Sequence, residues 1–179
     1  QWGTALMGLG LLFLGIQLMS SATGPLRTWP PFVDAMRHMQ NPWLGIAIGA
    51  LFTAIVQSSS ATTGIVIVLA IQGFITLESG IALILGANIG TCVTAMLSAV
   101  GRPREAVQAA VLHVLFNSLG ALALAFFIEP FAELVRFVSP ISDQVDPIAR
   151  TASEAPRQIA NAHTIFNVGS AFVFIWLTG

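Results

Sequence analysis

Long apolar stretches alternate along the chain with short polar, proline-rich ones, a pattern that predicts membrane helices joined by interfacial segments. The first apolar stretch, 4–19, carries Gly8, Gly10 and Gly15, small residues that let a second helix approach closely in lipid. Residues 24–41 hold three prolines and two arginines and are bracketed by Trp29 and Trp43, as expected of a turn and short amphipathic helix at a headgroup boundary. Residues 43–75 contain two apolar arms, "WLGIAIGALFTAIV" and "GIVIVLAIQGFI", separated by "QSSSATT". The first arm makes a helix about 21 Å long, short of a hydrocarbon core about 30 Å thick. The pattern therefore predicts a re-entrant helical hairpin with its polar tip in mid-membrane, a single crossing over 43–72 being the other arrangement it allows.

Residues 76–101 are long enough to span, but Gly86, Asn88, Gly90 and Thr91 interrupt them near the middle. A discontinuous transmembrane helix is expected there, because a broken element already precedes it; a straight helix packed through its glycines is the alternative. A full span follows at 104–128, then a short interfacial piece at 131–138, a polar connection at 139–157 and a last span at 158–179.

Composition agrees with the pattern. The chain has 179 residues, of which 55% are hydrophobic and 8% charged, too few ionisable groups to cover a water-facing globule of this size. A formal net charge of −1, with seven scattered arginines and no lysine, argues against a nucleic-acid partner, which needs clustered cations. Cys92 is the one cysteine, so no intrachain disulfide forms. The apolar start lacks a basic leader and a cleavage site, and is read as a membrane element. If the hairpin returns to its own side, Arg27, Arg37, Arg136, Arg150 and Arg157 share one face of the membrane and Arg102 and Arg104 the other, which puts the larger group in the cytoplasm.

The polar tip is the chemical question. Thr53, Gln57, Ser58, Ser59, Ser60, Thr62 and Thr63 fall inside an otherwise apolar stretch, and an unwound tip exposes backbone groups that lipid cannot satisfy. An echo also appears between "HVLFN" at 113–117 and "HTIFN" at 163–167, whose simplest reading is interhelical hydrogen bonding by His113, Asn117, His163 and Asn167.

Taken in order, "QSSSATT", "GANIGTCVTA" and the two HxxFN segments resemble the type II sodium-dependent phosphate cotransporters, in particular their bacterial branch. The resemblance covers nearly the whole chain. It implies an all-α membrane protein built as inverted repeats, each with a QSSS segment in a re-entrant hairpin. One QSSS is present here, and "IANAHTIFN" resembles the first helix of a second repeat. The chain thus looks like one repeat plus the opening of the next, whose completion would come from the same longer chain, a separate half or a second copy.

The resemblance implies sodium-coupled symport of inorganic phosphate, with no cofactor, no enzymatic activity and sodium as the one metal ion. Expected phosphate ligands are Gln57, Ser58, Ser59, Ser60, Thr62, Asn88 and Thr91, which offer hydroxyl and amide donors at half-helix N-termini. Expected sodium ligands are Ser58, Ser59, Ser60, Thr63, Asn88, Gly90 and Thr94. His113, Asn117, His163 and Asn167 would pack helices or line the site. A thiol reagent at Cys92, beside the GANIGT string, would be slowed by substrate, and Glu78 reads as a solvated helix-start residue. The implied location is a bacterial inner membrane. Two other functions draw on the same residues: a channel or non-transporting scaffold, and an intramembrane hydrolase pairing Ser58–Ser60 with His113 or His163.

Overall fold

The computed structural model describes residues 2–177, which form eight α-helices and one 3-10 turn. Helix α1 (Trp2–Thr23) leads through the 3-10 turn Gly24–Thr28 into the short α2 (Pro30–His38). Phe32 of α2 meets Phe74 edge to face at 5.0 Å. Four helices are long and apolar enough to cross a membrane: α1, α5 (Leu77–Ala99), α6 (Arg104–Ala125) and α8 (Pro147–Leu177). The molecule is an integral membrane protein. The amphipathic α7 (Ile128–Val138) lies between α6 and α8 and buries Ile128, Phe131, Ala132 and Val135.

Between α2 and α5 the chain makes two shorter helices, α3 (Pro42–Val56) and α4 (Ser59–Ile71). Helix α3 starts where Asn41 accepts a hydrogen bond from the Trp43 amide at 3.0 Å, with Pro42 at the first helical position. It ends at Gln57, whose φ of 57° and ψ of 27° turn the chain left-handed. Helix α4 then runs back: Ile48 and Phe52 of α3 share a 150 Å³ cavity with Ile65 and Leu69 of α4. The Ser79 hydroxyl, in the first turn of α5, donates to the Met39 carbonyl, just before α3, at 3.0 Å. The two ends of the segment therefore meet, and a continuous helix over 43–72 is not formed.

Helix α5 is the centre of the packing. Every residue from Ser79 to Asn88 is buried, and α3, α4, α6, α7 and α8 all lean on it. The contact with α3 is backbone to backbone. A Cβ built on Gly86 would lie 2.1 Å from the Ile46 carbonyl oxygen, one on Gly90 2.4 Å from the Ala50 oxygen, and one on Gly49 2.2 Å from the Leu83 oxygen. On another face, a Cβ on Gly80 would come within 2.6 Å of the Ile159 side chain of α8. In lipid, where burial of apolar surface brings little preference for protein over solvent, such close approach is what holds helices together.

This corrects two expectations. The segment 76–101 is not a discontinuous helix: α5 runs unbroken from Leu77 to Ala99, and Gly86 and Gly90 serve as the floor on which α3 lies. The polar connection does not extend to residue 157, because α8 already begins at Pro147 and passes through Pro156 without breaking. Its polar first turns hold the preceding loop. Glu154 accepts from the Ser142 amide at 2.8 Å and from Arg150 Nε at 2.9 Å, and Asn161 donates to the Ser139 hydroxyl at 2.8 Å. In the last turn of α7, Arg136 pairs with Glu78 in the first turn of α5, so Glu78 is not simply solvated. Both side chains are partly exposed, and the pair contributes about 1 kcal/mol at most.

Candidate ion and substrate site at the hairpin tip

The break between α3 and α4 gathers the polar run into one place. The Gln57 amide donates to the Thr53 carbonyl at 2.7 Å, which closes α3. Ser58 is extended and caps α4, its hydroxyl accepting from the Ala61 amide at 3.3 Å. Thr53 and Thr62, one in each arm, are 0% and 3% exposed, and their hydroxyls lie 2.8 Å apart. Thr62 also donates to the Ser58 carbonyl at 3.1 Å.

Other members of the run are uncommitted. Among the described residues, the side chains of Gln57, Ser59 and Ser60 make no hydrogen bond. The Thr63 hydroxyl is buried and has no partner, the one such side-chain oxygen or nitrogen among the described residues. Ser60 and Thr63 line a groove of 520 Å³ between α4, α1 and α8, together with Gly15, Met19 and His163. Buried polar groups are almost always satisfied, so the orphaned Thr63 oxygen marks a place that an ion or water would complete. The tip also carries the positive end of α4's dipole and its free first-turn amides, which suit an anion. The hydroxyl and amide oxygens suit a hard cation.

The candidates on α5 are placed differently. Asn88 donates to the Ile84 carbonyl at 3.0 Å, Thr91 to Ala87 at 2.8 Å and Thr94 to Thr91 at 2.5 Å. These groups are held by their own helix, and among the described residues no hydrogen bond joins them to the tip. Gly90 meets Ala50 and Thr53 of α3, but its contribution is space rather than a freed carbonyl. The two HxxFN segments repeat one local geometry: Asn117 donates to the His113 carbonyl at 3.0 Å and Asn167 to the His163 carbonyl at 2.8 Å. Both are bonds within a helix, not between helices. No hydrogen bond links Ser58, Ser59 or Ser60 to either histidine among the described residues. Cys92 is buried against α6, its sulfur 3.8 Å from the His113 carbonyl oxygen, so burial alone limits a thiol reagent there and substrate protection is not the simple reporter expected.

Thr53 is the residue that sequence reasoning passed over, counting it only as one more hydroxyl upstream. Its signal was positional: Thr53 and Thr62 flank the Gln57–Ser58 break at nearly equal distances, so a hairpin turn there brings them together.

The described residues thus form a helical bundle in which a broken helix pair lies on a glycine-floored central span, with a cluster of hydroxyls at the break. The chain belongs to the Na+/Pi-cotransporter family, whose model matches residues 33–140. It is 35% identical over 179 residues to the uncharacterized protein YqeW of Bacillus subtilis, covering 99% of this chain and 54% of the relative. It is 40% identical over 92 residues to the human sodium-dependent phosphate transport protein 2B, a match that covers 48% of this chain and 13% of that protein. The rat sodium-dependent phosphate transport protein 2C is 43% identical over 84 residues, 45% of this chain and 14% of the relative. The chain thus spans about half the length of its bacillary relative. No solved structure matches it.

Proposed function

We propose that this chain forms one half of a secondary active symporter that carries inorganic phosphate with sodium across a bacterial inner membrane. The observation that carries the reading is the hairpin tip: among the described residues the side chains of Gln57, Ser59 and Ser60 make no hydrogen bond, and the Thr63 oxygen is buried without a partner. Membership of the cotransporter family supplies the substrate class.

In this reading the hairpin is re-entrant. Helix α3, at 15 residues, is about 22 Å long, less than the about 30 Å of hydrocarbon it would have to cross. Its return through α4 lets the tip sit at mid-depth with α5 as its support. Phosphate is held at the tip by the Gln57 side-chain amide, the Ser59 and Ser60 hydroxyls and the first backbone amides of α4, and sodium by oxygens that include Thr63 and Ser60. No arginine or lysine lies in residues 43–101, so side-chain charge cannot offset a phosphate anion there. Co-bound sodium does so instead, which is a physical reason for coupling. A second inverted half, carrying its own hairpin, closes the site from the opposite side. Asn88, Thr91 and Thr94 reach the ligands only if α5 gives up its internal bonds when that half is engaged.

The test is uptake of radiolabelled phosphate by the full-length protein in proteoliposomes, with an inward sodium gradient or with choline in its place. Uptake is expected with sodium alone; equal uptake in choline contradicts the reading. Thr63→Val sharpens it. The hydroxyl makes no bond in the protein, so its removal should leave the fold unchanged or about 1 kcal/mol more stable. Sodium affinity should nonetheless fall about tenfold, read as the sodium concentration for half-maximal uptake.

A further inference from the structure

We propose that Thr53 is a positioning residue that aims the ligand-facing amides of the hairpin tip; its functional half rests on the transport reading above. A hydroxyl has one hydrogen and two lone pairs. The Thr62 hydroxyl lies 3.1 Å from the Ser58 carbonyl, which can only accept, so the Thr62 hydrogen is spent there. The 2.8 Å contact between Thr53 and Thr62 must then run from Thr53 to Thr62. The result is a directed chain: the Thr53 hydroxyl donates to Thr62, and Thr62 donates to the Ser58 carbonyl.

Two consequences follow. Thr62 has no hydrogen left for an oxyanion, so it belongs to the frame of the site and not to its phosphate donors. The Ser58 carbonyl, which also accepts from the Thr62 amide at 3.1 Å, is fixed in direction. The peptide is planar and trans, so fixing that carbonyl fixes the Ser59 N–H pointing the opposite way, out of the helix. Among the described residues, no hydrogen bond within the protein holds the Ser59 or Ser60 amide. Thr53 also accepts the Gln57 amide on its carbonyl at 2.7 Å. One buried residue of the arm that is bolted to α5 therefore ties both sides of the break. Gly90 supports it from beneath, since a Cβ there would lie 2.7 Å from the Thr53 Cβ.

The experiment compares wild type, Thr53→Val and Thr53→Ser in the full-length protein by two readouts: hydrogen exchange of the amides of residues 58–62, and sodium-driven phosphate uptake normalised to folded protein. Thr53→Val keeps the shape and removes the donor. It should speed exchange at the tip about tenfold and raise the half-saturating phosphate concentration by a similar factor, with the maximal rate nearly unchanged. Thr53→Ser should recover both. Unchanged exchange and unchanged half-saturation in Thr53→Val, with only a lower yield of folded protein, would overturn the inference. A wild type without sodium-dependent uptake would overturn the transport reading instead, while faster exchange in Thr53→Val, reversed in Thr53→Ser, would leave the tie standing.

Discussion

Gly86→Ala and Gly90→Ala should each destabilise the fold by about 3 kcal/mol or more, at the upper end of what overpacking costs. The atoms a new methyl would meet are the Ile46 carbonyl oxygen at 2.1 Å and the Ala50 amide nitrogen at 2.8 Å for Gly86, and the Ala50 oxygen and Ala54 nitrogen at 2.4 and 3.0 Å for Gly90. Besides these backbone atoms, the Gly90 methyl would meet the Thr53 Cβ at 2.7 Å, an atom fixed to its own backbone, so nothing can swing aside and α3 would have to lift from α5 as a unit. Lifting α3 also moves the hairpin tip, so transport should fall together with stability. The control is Gly8→Ala, where a Cβ meets nothing within 4 Å. There the better helix propensity of alanine should leave the protein unchanged or stabilise it by up to about 1 kcal/mol. Thermal unfolding in detergent reads both. Equal melting temperatures for Gly86→Ala and Gly8→Ala would show that α3 does not rest on α5 by this contact.

Gln57→Gly should separate stability from activity. Gln57 has a φ of 57°, the left-handed region that costs a side-chain-bearing residue about 1–2 kcal/mol. Glycine adopts it freely, and part of the gain is returned through the more flexible unfolded chain. The fold should therefore be unchanged or about 1 kcal/mol more stable. The side-chain amide is lost, however, and a hydrogen bond to a charged ligand is worth enough that uptake at subsaturating phosphate should fall about ten- to hundredfold. Gln57→Ala should lose uptake too, without the gain in stability. Normal uptake by Gln57→Gly would remove this side chain from the site and leave it as a turn residue alone. Backbone strain of this kind gathers at functional sites when the surroundings impose it, and here the Thr53–Thr62 tie across the break does so.

The break at 57–58 was legible because two signals coincide there, a run of hydroxyls and apolar arms too short to span. The unbroken α5 was not, since Gly86 and Gly90 beside Asn88, following one broken element, favoured a place where a helix opens over a floor for a neighbour. Only the partner decides. Gly45 and Gly49 on α3 repeat the four-residue spacing of Gly86 and Gly90 on α5, the small-xxx-small pattern of close helix pairs. Pairing those two motifs would have favoured the straight helix. The early start of α8 was obscured by Pro156, which ordinarily argues against a helix interior. Its start signal was nonetheless present: Asp146 precedes Pro147 and accepts the Ala149 amide at 2.9 Å, an N-cap followed by proline at the first position. The candidate site divides in the same way. Residues at the tip are gathered by the local turn and could be grouped from sequence, whereas Asn88, Thr91 and Thr94 lie on the unbroken α5 and bond to carbonyls of their own helix, which the string alone did not reveal.

The most direct test of the central claim, that the hairpin tip receives the transported ions, is the labelling rate of Ser60→Cys by a small thiol reagent in the full-length protein with Cys92→Ser. Ser60 is exposed at the break and lines the groove shared with Thr63 and His163. Sodium and phosphate together should slow labelling severalfold relative to choline and chloride, with sodium alone giving a smaller effect. Identical rates in all conditions would contradict the account.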